Sequence, residues 1–249
     1  MPDPRLLPPR PGLLAGRVIA ITGASDGIGR AVALAAAAHG AQLILIGRTV
    51  RKLQAVHSDI TALHGDCAQI AVLDLEKALA PDYDQLADAI STQYGRLDGL
   101  VHCAGILGTL TPIEHYDVPT WCKVLHVNVT AAFVLTQVLL PLLRQSADAS
   151  VLFTSSGVGR QGRAYWGAYS VSKFAVEGLA QVLAAETSGN TTVRVNAINP
   201  GPVRTLMRRQ AFPSENVDKL ALPADVAPTY LWLLGPEARG LTGQSIDAQ

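Results

Sequence analysis

Short apolar runs alternate with longer helix-like stretches along most of the chain. The apolar runs lie at residues 17–22, 42–47, 69–74, 98–103, 150–155 and 191–199. Helix-like stretches lie between them, at 31–40, from 48 to about 64, and at 82–94, 120–145 and 168–187. Strands that are apolar throughout and are separated by helices predict a parallel sheet covered on both faces. The pattern therefore predicts an α/β fold, a doubly wound sheet of about seven strands.

The same pattern predicts one domain. No internal repeat, low-complexity tract or linker divides residues 15–249, and a proline-rich leader, 1–14, precedes them. We expect this leader to be extended or loosely ordered. It has no unbroken apolar segment of the kind that a signal peptide needs. No apolar run of the sequence approaches the length of a membrane span.

Composition and charge narrow the class of protein. Hydrophobic residues make up 49% of the 249 residues and charged residues only 16%, which is typical of a well-packed globular protein. The formal net charge is zero, so we expect no nucleic-acid partner and no membrane contact. Cys67, Cys103 and Cys122 are odd in number and lack metal-type spacing. They indicate free thiols in a reducing, cytoplasmic compartment and no metal site.

A glycine-rich turn follows the first strand. The segment ITGASDGIGR, residues 21–30, places Gly23, Gly27 and Gly29 where the first helix begins. Glycines allow a tight turn and let a pyrophosphate approach the free N–H groups of the helix. A tight strand-to-helix turn needs glycine in any case, so a structural turn is the alternative. The position after the first strand of an α/β chain favours dinucleotide binding and a Rossmann-type sheet.

The end of the second strand bears on which dinucleotide binds. Gly47 stands where NAD-binding chains carry an acidic residue, and Arg48 follows it. A guanidinium can pair with a 2′-phosphate, and Ser25 can add a hydroxyl donor. These residues favour NADP(H), with NAD(H) as the second candidate. The alternative is that Arg48 and Arg51 only face solvent, and Asp26 in the turn is a mild counter-signal.

Four residue types suited to proton transfer occur in the second half of the chain. Tyr169 and Lys173 in YWGAYSVSKFAVEG are four residues apart, so a helix places them on one face. A nearby cation lowers the pKa of a phenol. Ser155 and Ser156 end the fifth strand, and only one of them is expected to face the site. The other would satisfy backbone groups. Asn128, inside an apolar helical stretch, calls for a polar partner.

Taken together, these motifs resemble the classical short-chain dehydrogenase/reductase family over about residues 15 to 247. The matching segments are TGASDGIG, DL at 74–75, HCAG at 102–105, HVNVTA, TSS, YSVSK and NPGPVRT. The segments FTSSGVGRQGRAYWGAYSVSKFAVEG and SIDAQ are also similar to the bacterial YciK-like subgroup. In this family the catalytic serine lies thirteen residues before the tyrosine, which selects Ser156.

The resemblance implies a role for each residue. Tyr169 would be the general acid in carbonyl reduction and the base in alcohol oxidation. Lys173 would bind the nicotinamide ribose and lower the pKa of the phenol. Ser156 would stabilise the substrate oxygen, and Asn128 would hold a water that connects Lys173 to solvent. The implied cofactor-binding residues are Gly23, Ser25, Asp26, Gly27, Ile28, Gly29, Arg48, Asp74, Leu75, Ala104, Gly105, Asn128, Tyr169, Lys173, Pro200, Val203 and Thr205. For the NPG segment, a plain strand-terminating turn is the alternative.

The chain departs from the family at one position and leaves the substrate open. Cys103 stands where the family has an asparagine that braces the sheet, so local hydrogen bonds must be made differently or by water. Arg160 and Arg163, with arginines of the 206–220 segment, are candidates for binding a carboxylate or phosphate. Facing solvent or a subunit interface is the stronger alternative for these arginines. We interpret 206–220 as a mobile lid.

The sequence therefore predicts an NADP(H)-dependent oxidoreductase that interconverts a small-molecule carbonyl and an alcohol. By analogy with the family we expect a homo-oligomer, tetramer or dimer, formed through the helices at 120–145 and 168–187. An extended-family sugar epimerase or dehydratase is disfavoured, because those chains are longer and carry Gly-x-x-Gly-x-x-Gly. The remaining alternative is a non-catalytic NADP(H)-binding or scaffold protein of the same fold.

Overall fold

A seven-stranded parallel sheet organises the computed structural model, which describes residues 9–189 and 192–249. The strands are β1 (Val18–Thr22), β2 (Gln42–Gly47), β3 (Ala68–Val72), β4 (Gly99–His102), β5 (Ala149–Thr154), β6 (Val193–Asn199) and β7 (Ser245–Asp247). Their order is β3-β2-β1-β4-β5-β6-β7, and every neighbouring pair is parallel. The predicted doubly wound, Rossmann-type sheet is confirmed. The strand order reverses between β1 and β4, where such sheets bind ligands.

Helices cover both faces of the sheet. They are α1 (Gly27–Ala38), α2 (Val50–His64), α3 (Ala80–Tyr94), α4 (Val118–Leu125), α5 (Ala131–Leu143), α6 (Gly167–Thr187), α7 (Leu206–Ala211) and α8 (Pro223–Leu234). The predicted single helix at 120–145 is divided, because a π-helical turn, His126–Thr130, joins α4 to α5. Helix α8 and strand β7 were not located from the sequence pattern.

The strands inside the sheet are largely apolar because both of their faces are buried, whereas the edge strands β3 and β7 have exposed residues. In β1, Ile19 and Ile21 join a core cluster with residues of α1, α2 and α8. The alternating residues Val18 and Ala20 join a second cluster with residues of α3, α5 and α6. Successive side chains of a strand point to opposite faces, so each strand contributes to both clusters.

Two apolar residues of the predicted leader pack against the domain. Leu13 and Leu14 are buried at 5% and 0% exposure, and the Leu14 amide donates to the His39 carbonyl at 3.0 Å. They close the core beside α1, and the domain boundary at residue 15 stays a prediction. Residues 1–8 of the predicted leader lie outside the described residues.

One helical run among the described residues is long and apolar enough to cross a membrane. It spans Val118–Leu143, 26 residues with a mean hydropathy of 1.6. The expectation that no apolar run approaches this length is wrong. The core helix of a folded protein meets the same criterion, and here Leu135 and Leu139 are fully buried in the cluster under the sheet.

Charged side chains are buried at the amino-terminal edge of the sheet. Asp148 pairs with Arg194 at 2.8 Å and with Arg17 at 3.3 Å, and Asp98 accepts from the Val18 amide at 2.8 Å. These groups tie the starts of β1, β4, β5 and β6 together. Most of these groups pair with one another, and the polar groups of the candidate site lie at the opposite, carboxyl edge.

Candidate active site

The glycine turn lies at the carboxyl ends of β1 and β4. A Cβ atom on Gly23 would lie 2.9 Å from the Ala104 amide nitrogen, and one on Gly29 would lie 2.4 Å from the Gly23 carbonyl oxygen. Both positions therefore require glycine. The Ala104 amide in turn donates to the Thr22 hydroxyl at 3.1 Å. The turn thus brings the amino end of α1 to the point where the strand order reverses, which fits a pyrophosphate.

Asp26 in this turn is neutralised by a lysine that the sequence analysis did not single out. Its carboxylate accepts from the Gly27 amide at 2.8 Å and pairs with Lys52 Nζ at 2.6 Å. The hydrogen bond from Lys52 is the main cause of the lowered pKa of Asp26. The counter-signal that Asp26 presented to an anionic phosphate is therefore offset by Lys52, which lies in the first turns of α2.

Arg48 follows β2 and faces carboxylates at the end of β3. Its Nη1 lies 3.4 Å from Glu76 and 3.9 Å from Asp74. The Asp74 side chain also accepts from the Glu76 amide at 3.1 Å, which shapes the turn after β3. Glu76 has a second cation, Lys123 Nζ, at 2.8 Å, so it keeps a partner if Arg48 turns away. Leu75 between the two acids is nearly buried.

Three of the predicted catalytic side chains come together where β5 meets α6. The Ser156 hydroxyl lies beside the Tyr169 phenol, close enough to act on its pKa. Lys173 Nζ lies 5.5 Å from the centroid of the Tyr169 ring and donates to the Thr154 carbonyl at 2.7 Å. Tyr169 and Lys173 are both buried. Ser156, Tyr169 and Lys173 therefore form one cluster at the carboxyl edge of the sheet.

The turn after Ser156 is fixed directly onto α6. Ser170 Oγ donates to the Val158 carbonyl at 2.6 Å, and a Cβ on Gly159 would lie 2.8 Å from Lys173 Cβ. Ser155 does not satisfy backbone groups with its side chain as predicted. Its hydroxyl is buried without a hydrogen-bond partner, because the adjacent ladder uses only its amide, which donates to Ile198.

Burial is the main influence on the pKa values of Tyr169 and Lys173. It raises the pKa of Tyr169 to about 12, opposed by the hydrogen bond from Ser156. It lowers the pKa of Lys173 to about 8, partly offset by the electrostatic interactions with Cys103 and with the Glu177 carboxylate. In this structure Lys173 therefore does not lower the pKa of the Tyr169 phenol, contrary to the expectation. The reason is that the ammonium is directed to the Thr154 carbonyl instead of to the phenol.

Asn128 occupies the π-helical turn and has the polar partners that its position called for. Its Oδ1 accepts from the Ile106 amide at 2.8 Å. Its Nδ2 donates to the Ile106 carbonyl at 3.0 Å and to Ser172 Oγ at 3.0 Å. A Cβ on Gly105 would lie 3.3 Å from Asn128 Oδ1. Asn128 thus fixes the segment after β4 against α6 at Ser172, the residue directly before Lys173. A π-helical turn at such a point is common in functional sites.

The NPGPVRT segment reaches the glycine turn. Val203 is buried and bridges to Ala221, and Thr205 caps α7 by accepting from the Arg208 amide at 3.2 Å. A Cβ on Gly27 would lie 3.4 Å from the Thr205 methyl group. The Pro200 carbonyl accepts from Gln249 Nε2 at 2.6 Å. Thr205 therefore lies across from the amino end of α1, on the far side of the proposed pyrophosphate position.

These geometries agree with a family of known proteins. The model of the short chain dehydrogenase family matches residues 17–216. The chain belongs to the short-chain dehydrogenase family. The resemblance inferred from the motifs is confirmed.

Individual short-chain dehydrogenases are similar over nearly the whole chain. The Escherichia coli K12 protein named uncharacterized oxidoreductase YciK is 51% identical over 97% of this chain and 95% of its own. A Shigella flexneri short-chain dehydrogenase solved with NADP is 50% identical, with a TM-score of 0.94, over 96% of this chain and 100% of the other. An Escherichia coli CFT073 short-chain dehydrogenase solved with NADPH is 51% identical, also with a TM-score of 0.94, over 97% and 100%.

The segment predicted to be a mobile lid is a short helix packed over the short-chain dehydrogenase site. Met207, Ala211 and Phe212 of α7 and the residue after it contact a cluster that contains Trp166 and Tyr169. The rings of Trp166 and Phe212 lie 5.7 Å apart. Arg208 lies 3.9 Å from the Phe212 ring centroid and pairs with Glu215 at 2.5 Å. The segment therefore covers Tyr169 with apolar side chains.

The loop arginines divide into engaged and available groups. Arg160 pairs with Asp247 at 2.7 Å and lies 3.5 Å from Glu177, so it ties the loop to β7 instead of facing a substrate. Arg163 lies over the rings of Trp166 and Phe212, at 5.9 and 5.3 Å from their centroids. Among the described residues Arg163 has no carboxylate partner, and it packs on the aromatic side chains of the cluster that covers Tyr169.

His102 and Cys103, in the segment after the β4 core, are both uncharged. Burial lowers the pKa of His102 to about 3 and raises the pKa of Cys103 to about 11. His102 stacks on Phe153 at 4.7 Å, and Cys103 Sγ contacts Thr154 Oγ1 at 3.3 Å. The hydrogen bond that the asparagine was expected to make is thus made differently, through the thiol.

Two further observations delimit the site. A crevice of about 760 Å³ lies between α1, the 204–220 segment and α8, beside Gly27 and Thr205, and Ser156, Tyr169 and Lys173 do not line it. Within 9–189 and 192–249, no three His, Cys, Asp or Glu side chains are grouped so as to hold a metal ion. The sequence analysis missed Thr22, Lys52, Thr154 and Tyr230, whose contributions come from contacts between distant segments.

Proposed function

We propose that the protein is an NADP(H)-dependent oxidoreductase that interconverts a small-molecule carbonyl and an alcohol, with Tyr169 as the general acid or base. One observation carries the proposal. Ser156 and the buried Tyr169 and Lys173 lie together at the carboxyl edge of the sheet, beneath the apolar side chains that contact Tyr169. A substrate oxygen held there has two hydroxyl groups within reach, which suits a centre where negative charge develops.

Tyr169 is set to donate a proton in the reductive direction. With a pKa of about 12 the phenol stays protonated at neutral pH. The Ser156 hydroxyl can donate to the same substrate oxygen and stabilise its charge. In the oxidative direction Tyr169 must accept the proton, which requires the cationic form of Lys173 nearby. At pH 7 a lysine with a pKa of about 8 is about nine-tenths protonated.

The nucleotide site fits a dinucleotide phosphate. Gly23 and Gly29 leave no room for a Cβ atom, and Asp26, which could repel a phosphate, is paired with Lys52. Arg48 would hold the 2′-phosphate, and Asp74 with Leu75 the adenine. Ala104, Gly105 and Thr205 would line the path to the nicotinamide. A bound nicotinamide supplies or accepts the hydride.

We also propose a cytoplasmic homo-oligomer, dimer or tetramer, that acts on soluble small molecules without a nucleic-acid or membrane partner. Phe133 on α5 and Val171, Phe174 and Val182 on α6 are exposed apolar side chains. The three on α6 recur at helical spacing and form one stripe, which supports burial by a second copy. Cys67, Cys103 and Cys122 are free thiols, which fits a reducing compartment.

The experiment that tests the function compares two neighbouring serines. Ser156→Ala should lower NADPH-dependent reduction of a responsive carbonyl, found by screening ketones and aldehydes, by about 10²-fold or more. Ser155→Ala is the matched control, since its hydroxyl has no hydrogen-bond partner among the described residues and Ser156, not Ser155, acts on the pKa of Tyr169. It should retain turnover within about threefold. Equal losses in both variants, or no loss in Ser156→Ala, would contradict the assignment.

A further inference from the structure

The ladder between β4 and β5 ends one residue before the site, and side chains continue it. The last backbone pair is His102 with Phe153. The next pair in that register is Cys103 with Thr154, and there the Cys103 thiol contacts the Thr154 hydroxyl at 3.3 Å. The two strands are therefore held together at their carboxyl ends by a side-chain hydrogen bond in place of a backbone one.

A third side chain, that of Tyr230, contacts the same hydroxyl. Tyr230 on α8 is fully buried, and its phenol lies 3.1 Å from Thr154 Oγ1. Among the described residues Thr154 is the hydrogen-bond partner of both the Tyr230 phenol and the Cys103 thiol. A buried phenol without a partner is costly. The Thr154 side chain is therefore fixed from two directions.

The main chain of Thr154 meets the candidate catalytic lysine. Its carbonyl oxygen accepts from Lys173 Nζ at 2.7 Å. Among the described residues, this is the hydrogen bond that the buried ammonium of Lys173 makes. On the β6 side Thr154 is paired with Ile198, but on the β4 side the backbone ladder has already ended. The anchoring of the Thr154 hydroxyl on that side therefore helps to determine where its carbonyl, and with it Lys173, lies.

We propose that Thr154 is the positioning residue for Lys173, held in place by Cys103 and Tyr230. The inference rests on the proposed function for the importance of Lys173, but its geometry stands independently of any reaction. It assigns a purpose to the thiol that replaces an asparagine: Cys103 is a small partner that leaves room for the Tyr230 phenol at the same hydroxyl. Cys103 and Tyr230 act only through Thr154 and are not catalytic residues.

The charged and titratable groups around Lys173 come from several elements. Glu177 and Tyr169 lie on α6 itself, and Cys103 and His102 lie at the end of β4. His102 and Cys103 are neutral at pH 7. Glu177 is therefore the anion near Lys173, and it is held by Ser245 at 2.8 Å. Loss of the Thr154 anchor should weaken the hydrogen bond to the charged amine and lower the pKa of Lys173 further.

The test is the pKa of Lys173 measured by NMR with lysine labelled with ¹³C at Cε. The chain has five lysines, so the spectrum is simple, and Lys173→Met assigns the signal. In Thr154→Val the pKa should fall by about half a unit or more, and Tyr230→Phe should move it in the same direction. Cys103→Ser keeps a donor and acceptor at the anchor and should stay closer to the wild type than Cys103→Ala.

Thr187→Val is the matched control. Thr187 is a buried threonine on the same helix whose hydroxyl bonds to the Leu183 and Ala184 carbonyls, far along α6 from Lys173. It should destabilise the protein without moving the Lys173 signal. If Thr154→Val does not fold, Tyr230→Phe decides, because it removes only one oxygen atom.

An unchanged Lys173 pKa in folded Thr154→Val and Tyr230→Phe would overturn the proposal, and so would a wild-type Lys173 that titrates like an exposed lysine. The NMR measurement needs no substrate. A protein that shows the pKa shifts but no NADPH-dependent turnover would therefore refute the proposed function and leave the positioning of Lys173 standing.

Discussion

At Tyr169 and Lys173, burial pushes two side chains toward their uncharged forms. The pKa of the phenol rises to about 12 and that of the amine falls to about 8. A proton donor at neutral pH gains from the first shift, because the phenol remains protonated. The second shift leaves the ammonium sensitive to small changes of its surroundings, since its pKa lies close to physiological pH. The Thr154 carbonyl at 2.7 Å is the contact that stabilises the charged form.

Arg48 is the residue expected to favour the binding of NADPH over NADH. Arg48→Ala should weaken NADPH binding by about tenfold or more and leave NADH binding unchanged, because a guanidinium–phosphate hydrogen bond contributes about 1.5–3 kcal/mol. Glu76 would stay neutralised by Lys123 at 2.8 Å. The measurement is calorimetric affinity for the two cofactors side by side.

Arg51→Ala is the control for Arg48, since Arg51 is an exposed arginine nearby on α2. It should change neither affinity by more than about twofold. Parallel weakening of NADPH and NADH in Arg48→Ala would show that Arg48 supports the fold of the site and does not distinguish the 2′-phosphate.

Among the elements, the glycine turn and the π-helical turn determine the shape of the site. The turn brings β1 against the segment after β4 at Gly23 and Ala104. The π-helical turn directs Asn128 at both backbone groups of Ile106 and at Ser172. Each feature joins two segments that are distant in sequence. The role expected for Asn128 in holding a water stays a prediction. One hydrogen bond from its Nδ2 already goes to Ser172 on α6.

Gly29→Ala should abolish most nucleotide binding. Its new Cβ would lie 2.4 Å from the Gly23 carbonyl oxygen, so the turn must move. We expect NADPH affinity to fall by about 10²-fold, measured by fluorescence titration, because the helix N–H groups no longer converge on the pyrophosphate.

Gly162→Ala provides the matched control for Gly29→Ala. Gly162 lies in the exposed loop between Ser156 and Tyr169, and a Cβ there would meet no atom within 4 Å. Alanine should leave NADPH affinity intact and change the free energy of unfolding by no more than about 1 kcal/mol. Unchanged affinity in Gly29→Ala would contradict the role given to the turn.

The elements also show how far the sequence could be interpreted. Six strands could be predicted because each is an apolar run covered on both faces. Strand β7 is only three residues long, with Ile246 as its single buried side chain, and it has no comparable pattern. Helix α8 contains Pro228, which argues against a helix in a sequence pattern. Missing α8 meant missing Tyr230, and with it the partner of Thr154.

Side-chain partners were the least predictable feature of the site. Ser156 rather than Ser155 came from the family spacing, and the structure brings Ser156 to Tyr169. That Lys52 neutralises Asp26 and that Arg160 is held by Asp247 depend on pairs 26 and 87 residues apart. No local pattern encodes such contacts, because they follow from how whole helices and strands pack.

The whole molecule separates stability from chemistry at the two edges of its sheet. At the amino edge Asp148 pairs with Arg194 and Arg17, and Arg194 also donates to backbone carbonyls, while Arg17 Nε is buried without a partner among the described residues. At the carboxyl edge the Ser155 hydroxyl is unpaired, and Tyr169 and Lys173 are held away from their ordinary pKa values. Helix α7 covers this second edge with Met207 and Phe212. Polar groups that are costly to bury are concentrated where the proposed reaction takes place.

The measurement that tests the account most directly is turnover of Tyr169→Phe with its NADPH affinity measured on the same sample. We predict that NADPH binding stays within about threefold of the wild type while carbonyl reduction falls by about 10²–10⁴-fold, because only the proton donor is removed. The rate of wild-type reduction should be constant below about pH 8 and decline above it. The reason is that Lys173, whose pKa is about 8, then loses the charge with which it would bind the nicotinamide ribose. Full turnover in Tyr169→Phe would contradict the account. Wild-type protein that binds NADPH but reduces no carbonyl would contradict it as well, in favour of a non-catalytic binding protein.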